Sequence, residues 1–302
     1  MYTRAYLVVA VISAPINGER RRAVRQTWLN LEGHLRTEVI HFFVVGTKRL
    51  HSKVLEDLKE ENAKYKDMLL LPNIEDSFDQ LTAKVLATFV QIHKSTDLNY
   101  LMKVDDDSFV VIDRVYDELK QTNYPSGLYW GYFNSNSVVR SNESEWARYI
   151  ETEYELCDHY IPYAFGGGYV LSANLVGFIA NNAKMLRPYR AEDASVGTWL
   201  APLKIHRVHD TRFDTEAHSR GCANTHLISH KQSVEEMRSK QHSLLSSGML
   251  CDQETVKWMA YDYNWNVAPS ECCPKNGSKY LGTNSIVLLE SLLNRHSNRL
   301  FH

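Results

Sequence analysis

Met102-Lys103-Val104-Asp105-Asp106-Asp107-Ser108-Phe109-Val110-Val111 sets three consecutive carboxylates at the end of an apolar strand that begins at Tyr100. Adjacent carboxylates repel and raise one another's pKa. A run of them at the carboxyl edge of a strand is best accounted for where a divalent cation neutralises it, with substrate phosphates as further ligands. An acidic turn in solvent is the plainer alternative for an isolated Asp run. The apolar strand before it and the Val110-Val111 pair after it favour the metal-bound phosphate ester.

Working outward, short apolar runs alternate with helical patterns. Strands are expected at Tyr6 to Ser13, Val39 to Val45, Met68 to Leu71 and Tyr100 to Val104, with helices near 19–31, 52–65 and 78–95. This alternation predicts an α/β fold whose parallel sheet is covered on both faces. The third helix carries Leu81, Val85, Leu86, Phe89 and Ile92 on one face, and Ser77 with Gln80 reads as its capping box. In open parallel sheets ligands bind beyond the carboxyl ends of the strands, where the Asp run falls. Farther on, Gly166-Gly167-Gly168 precedes Tyr169-Val170-Leu171-Ser172 and a helical pattern near 174–185. The glycines admit two readings, close approach of backbone to a ligand or a flexible turn. Glu192-Asp193 opens another amphipathic stretch, where acids also simply answer the helix dipole.

Composition excludes several classes. The 302 residues are 44% hydrophobic with a net charge of -2, enough for a sizeable core and no electrostatic footprint for nucleic acid. The longest apolar run, Leu7 to Ile12, is far short of the roughly 18 residues needed to cross a bilayer, and reads as the first buried strand. Cys157, Cys222, Cys251, Cys272 and Cys273 form no Cys-x-x-Cys pair, which argues against zinc and fits disulfides with one thiol left over. Sequons at Asn142 and Asn276 lean toward a secretory compartment. Without repeats, low-complexity tracts or a linker, one compact domain is expected over 1–302. Within it, the regular alternation covers about 5–135, a less regular half follows over 136–260, and 261–302 would form an extension.

Five motifs in one order carry a resemblance along most of the chain: Arg21-x-x-x-Arg25-x-Thr27-Trp28; Asp76-Ser77-Phe78-Asp79-x-Leu81-Thr82-x-Lys84; Lys103-x-Asp105-Asp106-Asp107; Gly166-Gly167-Gly168-Tyr169; and Glu192-Asp193-x-x-x-Gly197. They resemble the β-1,3-glycosyltransferases of glycosyltransferase family 31. Cys157-Asp158-His159-Tyr160-Ile161-Pro162-Tyr163, His209-Asp210-x-Arg212-Phe213-Asp214-Thr215-Glu216, Ser219-Arg220-Gly221-Cys222 and Pro269-Ser270-x-Cys272-Cys273 are similar to the branch that builds the proteoglycan linkage region.

The resemblance implies a GT-A fold with about 5–135 as the nucleotide-sugar-binding half and 136–260 as the acceptor and catalytic half, a UDP-galactose donor, Mn²⁺, and inverting transfer in the Golgi lumen to galactosyl-β-1,4-xylose on a proteoglycan core protein. It implies Asp107 and His230 as metal ligands, Asp105 and Asp106 bracketing ribose and diphosphate, and Asp193 as general base, with Glu192 next in line. Arg21, Arg25, Asp76 and Lys84 would support the donor site, although a solvated helix face would account for either arginine. Trp130, Gly167 and Trp199 are candidates for the acceptor, and core packing explains the two tryptophans equally well. Ala194 stands where the family commonly has Val. Family members carry a type II membrane anchor ahead of the catalytic domain, and residue 1 stands five positions before the expected first strand at Tyr6. Two rivals stay open: a family 31 transferase with another donor or acceptor, such as a β-1,3-N-acetylglucosaminyltransferase, and an inert relative serving as chaperone or glycan-binding partner.

Overall fold

A computed structural model describes residues 3–135, 137–139 and 159–273. The strands are β1 (Thr3–Ile12), β2 (Val39–Gly46), β3 (Met68–Leu71), β4 (Thr96–Asp105), β5 (Phe109–Val110), β6 (Leu128–Asn134), β7 (Tyr163–Ser172), β8 (His206–His209), β9 (Phe213–Asp214), β10 (Gly221–Cys222), β11 (Ile228–Ser229) and β12 (Thr255–Val256). The helices are α1 (Gly18–Gln26), α2 (Leu35–Glu38), α3 (Ser52–Tyr65), α4 (Leu81–Ser95), α5 (Ile112–Thr122), α6 (Ala173–Asn182), α7 (Glu192–Leu200) and α8 (Val234–Ser247). No helix among the described residues is long and apolar enough to cross a membrane.

Seven strands form the main sheet in the order β3-β2-β1-β4-β7-β6-β8. Parallel pairing joins β3, β2, β1 and β4, and β6 to β8, whereas β7 runs antiparallel to both β4 and β6. The alternation along β1 shows why both faces are covered: Leu7, Val9 and Val11 enter one apolar cluster, Val8, Ala10 and Ile12 the other, and all are buried. The mixed α/β architecture expected from the sequence is therefore met. So are its first four strands, to within a few residues at their ends.

Two expectations are corrected. Ser77 makes no capping hydrogen bond; residues Phe78–Gln80 form a 3-10 turn, and α4 begins only at Leu81. The full capping box is at α8, where Ser233 accepts from the Glu236 amide and the Glu236 carboxylate accepts from the Ser233 amide. The three glycines form no turn and lie inside β7. Cys222–Cys251 and Cys272–Cys273 are disulfide-bonded. Cys157, Asn142 and Asn276 lie outside the described residues.

The antiparallel entry of β7 builds the site. Because β7 runs against β4, its first half arrives beside the carboxyl end of β4, and Val104 pairs with Gly168. A small sheet in the order β5-β11-β9 closes over the same end, so the chain after Asp107 and the chain before His230 are paired directly.

Candidate metal centre and active site

Asp105, Asp107 and His230 come together with one ligand atom each, all within 4.8 Å of one another, the one such group among the described residues. His230 Nε2 lies 3.1 Å from Asp107 Oδ1 and 3.4 Å from Asp105 Oδ2. Its Nδ1 lies 2.9 Å from the Glu216 carbonyl oxygen. A carbonyl only accepts, so Nδ1 carries the hydrogen, and in the neutral ring Nε2 presents a lone pair to two carboxylates. Nε2 is buried and makes no well-directed hydrogen bond to either of them. An acceptor facing two acceptors is a donor set that a divalent cation satisfies, and the three residues fit one. Burial works to lower the His230 pKa, but the two carboxylates beside Nε2 outweigh it and raise it to about 9.

The expected division of labour among the carboxylates changes. Asp105, assigned to ribose or diphosphate from the sequence, turns Oδ2 into the metal group and Oδ1 to Lys103. Burial works to raise its pKa, yet Lys103, then His230, hold it below the usual carboxylate range. Asp106 points elsewhere, accepting from Asn17 Nδ2 at 2.8 Å and Arg20 Nη1 at 3.1 Å, and burial raises its pKa despite these bonds. Arg20 also reaches to 3.9 Å from Asp107, and Lys231 Nζ lies 3.3 Å from the same carboxylate.

Asp193 stands at the first turn of α7. Its Oδ2 accepts from the Gly166 amide at 3.0 Å and its Oδ1 from its neighbour Ala194 at 2.8 Å. Burial, then the adjacent Glu192, raises its pKa to about 6, against the lowering effect of those amides and of Lys103. A carboxylate poised near neutral pH suits a general base. Glu192 does not: it is 4% exposed, and both oxygens are engaged, one by Lys103 Nζ at 2.9 Å and the other by the Tyr169 hydroxyl.

Other assignments are redirected. Arg21 is buried and spans Glu61, Ser13 and the Ala14 carbonyl, while Arg25 binds Glu61 and Asp67 and lies over the Phe43 ring. Both arginines fasten α1 to α3 and the start of β3, and neither bonds to the Asp cluster. Lys84 and Asp76 tie together the ends of β1 and β2: Lys84 donates to the Ser13 carbonyl and to Asp76, which also accepts from the Gly46 amide. Burial lowers the Lys84 pKa even so. Trp130 and Trp199 offer no face to a sugar, because both are buried; their ring nitrogens donate to Asp210 and to the Arg187 carbonyl. Gly167 backs the metal group, since a Cβ there would stand 2.5 Å from His230 Nδ1.

The motifs in the sequence assign no site role to Lys103, Arg20, Asn17, Tyr169 or Lys231. For Lys103 a signal existed, a charged side chain inside an apolar strand, which must be paired if buried. Nothing in spacing separates Arg20 from Arg21.

The chain matches the family model described as galactosyltransferase over residues 19–211, which include the Asp run and Asp193. It is 44% identical to mouse beta-1,3-galactosyltransferase 6 over 275 residues, 90% of this chain and 83% of that protein. Beta-1,3-galactosyltransferase GALT1 of Arabidopsis thaliana is 32% identical over 76% of this chain and 36% of its own length. UDP-GalNAc:beta-1,3-N-acetylgalactosaminyltransferase 2 of Danio rerio is 30% identical over 61% of this chain and 36% of its own length. With the family model covering more than half its residues, and a relative of this identity along nine-tenths of it, the chain belongs to the galactosyltransferase family.

Proposed function

We propose that the protein is an inverting β-1,3-galactosyltransferase that moves galactose from UDP-galactose to galactosyl-β-1,4-xylosyl-serine on proteoglycan core proteins, in the Golgi lumen. The observation that carries this reading is the link from a carboxylate–imidazole group at the end of β4, through Lys103 and Gly166, to the Asp193 carboxylate. The identity to mouse beta-1,3-galactosyltransferase 6 supports the choice of sugar and linkage, and the disulfides agree with an oxidising compartment.

Asp105, Asp107 and His230 would hold Mn²⁺, which accepts this mix of carboxylate and imidazole readily. When bound, the ion stabilises the charge that develops on the departing diphosphate. A β-linked product from an α-linked sugar nucleotide requires inversion, so the acceptor 3-hydroxyl attacks the anomeric carbon opposite the leaving group. Asp193 takes the hydroxyl proton as the new carbon–oxygen bond forms and the bond to UDP breaks, through an oxocarbenium-like transition state. The Gly166 and Ala194 amides hold the carboxylate in one orientation for this transfer. Arg20 and Asn17 keep Asp106 in place at the donor side.

The test is transfer from UDP-galactose to a galactosyl-β-1,4-xyloside with Mn²⁺ or with EDTA, alongside UDP-N-acetylglucosamine, UDP-N-acetylgalactosamine and Asp107→Ala. A β-1,3-linked trisaccharide that needs UDP-galactose and the metal and is lost in the variant is expected. Equal transfer from the other donors, or no product from any, overturns the reading.

A further inference from the structure

Lys103 is the feature that the mechanism above leaves without a role. Its ammonium is 1% exposed and makes three contacts: Asp105 Oδ1 at 2.9 Å, the Gly166 carbonyl at 2.6 Å and Glu192 Oε2 at 2.9 Å. An ammonium has three hydrogens, so these contacts exhaust its donors. Each leads to a different part of the site. Asp105 turns its other oxygen into the metal group. Gly166 donates its amide to Asp193. Glu192 opens the helix on which Asp193 is the next residue, and its second oxygen is closed by Tyr169.

We propose that Lys103 is a positioning residue that binds the metal carboxylate and the base into one unit, with Glu192 as its fixed counter-charge rather than a second base. The proposal rests on Asp193 being the base and on Asp105 holding the metal.

Two consequences follow from the charges. With Oδ1 held by Lys103, Oδ2 is the Asp105 oxygen turned toward His230 and would be the one offered to the cation; outer partners of this kind are typically worth about 10- to 100-fold in metal affinity. The groups facing Asp193 are Glu192 on α7, Lys103 on β4, Tyr129 on β6 and Tyr169 on β7. The two tyrosines are neutral at ordinary pH, both being raised above their usual range by burial. Glu192 and Lys103 therefore act on the Asp193 proton in opposite senses, the glutamate favouring it and the lysine opposing it.

The experiment measures Mn²⁺ binding to the full chain without donor, by titration calorimetry, and the pH dependence of transfer, in Lys103→Met and Glu192→Gln. Lys103→Met is expected to weaken Mn²⁺ by about 10-fold or more and to move the acidic limb of the pH profile upward by about one unit. Glu192→Gln is expected to move that limb downward, a displacement opposite in sign that general loosening of the site does not produce. If Lys103→Met is poorly folded, the direction in Glu192→Gln still decides. An acidic limb that stays put or rises in Glu192→Gln, or unchanged Mn²⁺ affinity in well-folded Lys103→Met, overturns the proposal. Failure of the underlying reading shows itself separately, as full activity in Asp193→Asn.

Discussion

At Asp193, two features meet that define a base: a pKa brought to about 6 by burial and Glu192, and two amides that fix its orientation. A base works ionised. Transfer should therefore be sustained above pH 6 and fall as the pH drops through that value, in a profile taken at saturating donor. Asp193→Asn should cost roughly 10²- to 10⁴-fold in kcat while leaving donor KM within a few-fold. The Asp run and the Glu192-Asp193 pair were legible as chemistry because carboxylates in such company need a reason to be there. Which of the acids does what was not, since the choice depends on partners distant in sequence. Lys103 takes one oxygen of Asp105, Asn17 and Arg20 take Asp106, and His230 arrives from 123 residues beyond Asp107. Sequence proximity also misled at Glu192, where the closing hydroxyl comes from Tyr169.

Among the elements, β7 is where backbone geometry governs the site. A Cβ on Gly167 would stand 2.5 Å from His230 Nδ1 and 2.8 Å from the Thr215 carbonyl. Neither contact is sustainable, so Gly167→Ala should push the imidazole off its bond to Glu216 and lower Mn²⁺ affinity at least 10-fold, read by metal titration. Helix α1 supplies the contrasting case. Arg25 is spent on Glu61 and Asp67, so Arg25→Ala should lower the unfolding free energy by about 3 kcal/mol, measured by denaturant titration, with donor KM and Mn²⁺ affinity little changed. Periodicity found these elements because apolar spacing is a local property. It misplaced the start of α4 because Ser77-x-x-Gln80 matches a cap in letters, whereas the backbone there takes a tighter turn. The cap at Ser233 went unread although Glu236 stands three residues on.

On the scale of the molecule, Cys222–Cys251 closes a loop of 29 residues around β11 and α8. By chain entropy its reduction should remove about 3 to 4 kcal/mol, seen as a lower Tm under reducing conditions and a lesser loss of activity at low temperature. Pairing between these cysteines could not be read from five unspaced ones, nor could the reversal of β7, because strand direction is decided by what lies between strands. That reversal bears on how the chain can be divided. The sequence suggests a donor half ending near residue 135, yet β4 has β1 on one side and β7 on the other. A fragment cut there would keep Asp105, Asp106 and Asp107 but leave the side of β4 that pairs with β7, from Tyr100 to Val104, with its peptide groups bare. Such a piece would offer other chains a template for pairing before it offered a nucleotide anything; the two halves are not modules that meet at a cleft but neighbours in one continuous ladder, and they stand or aggregate together.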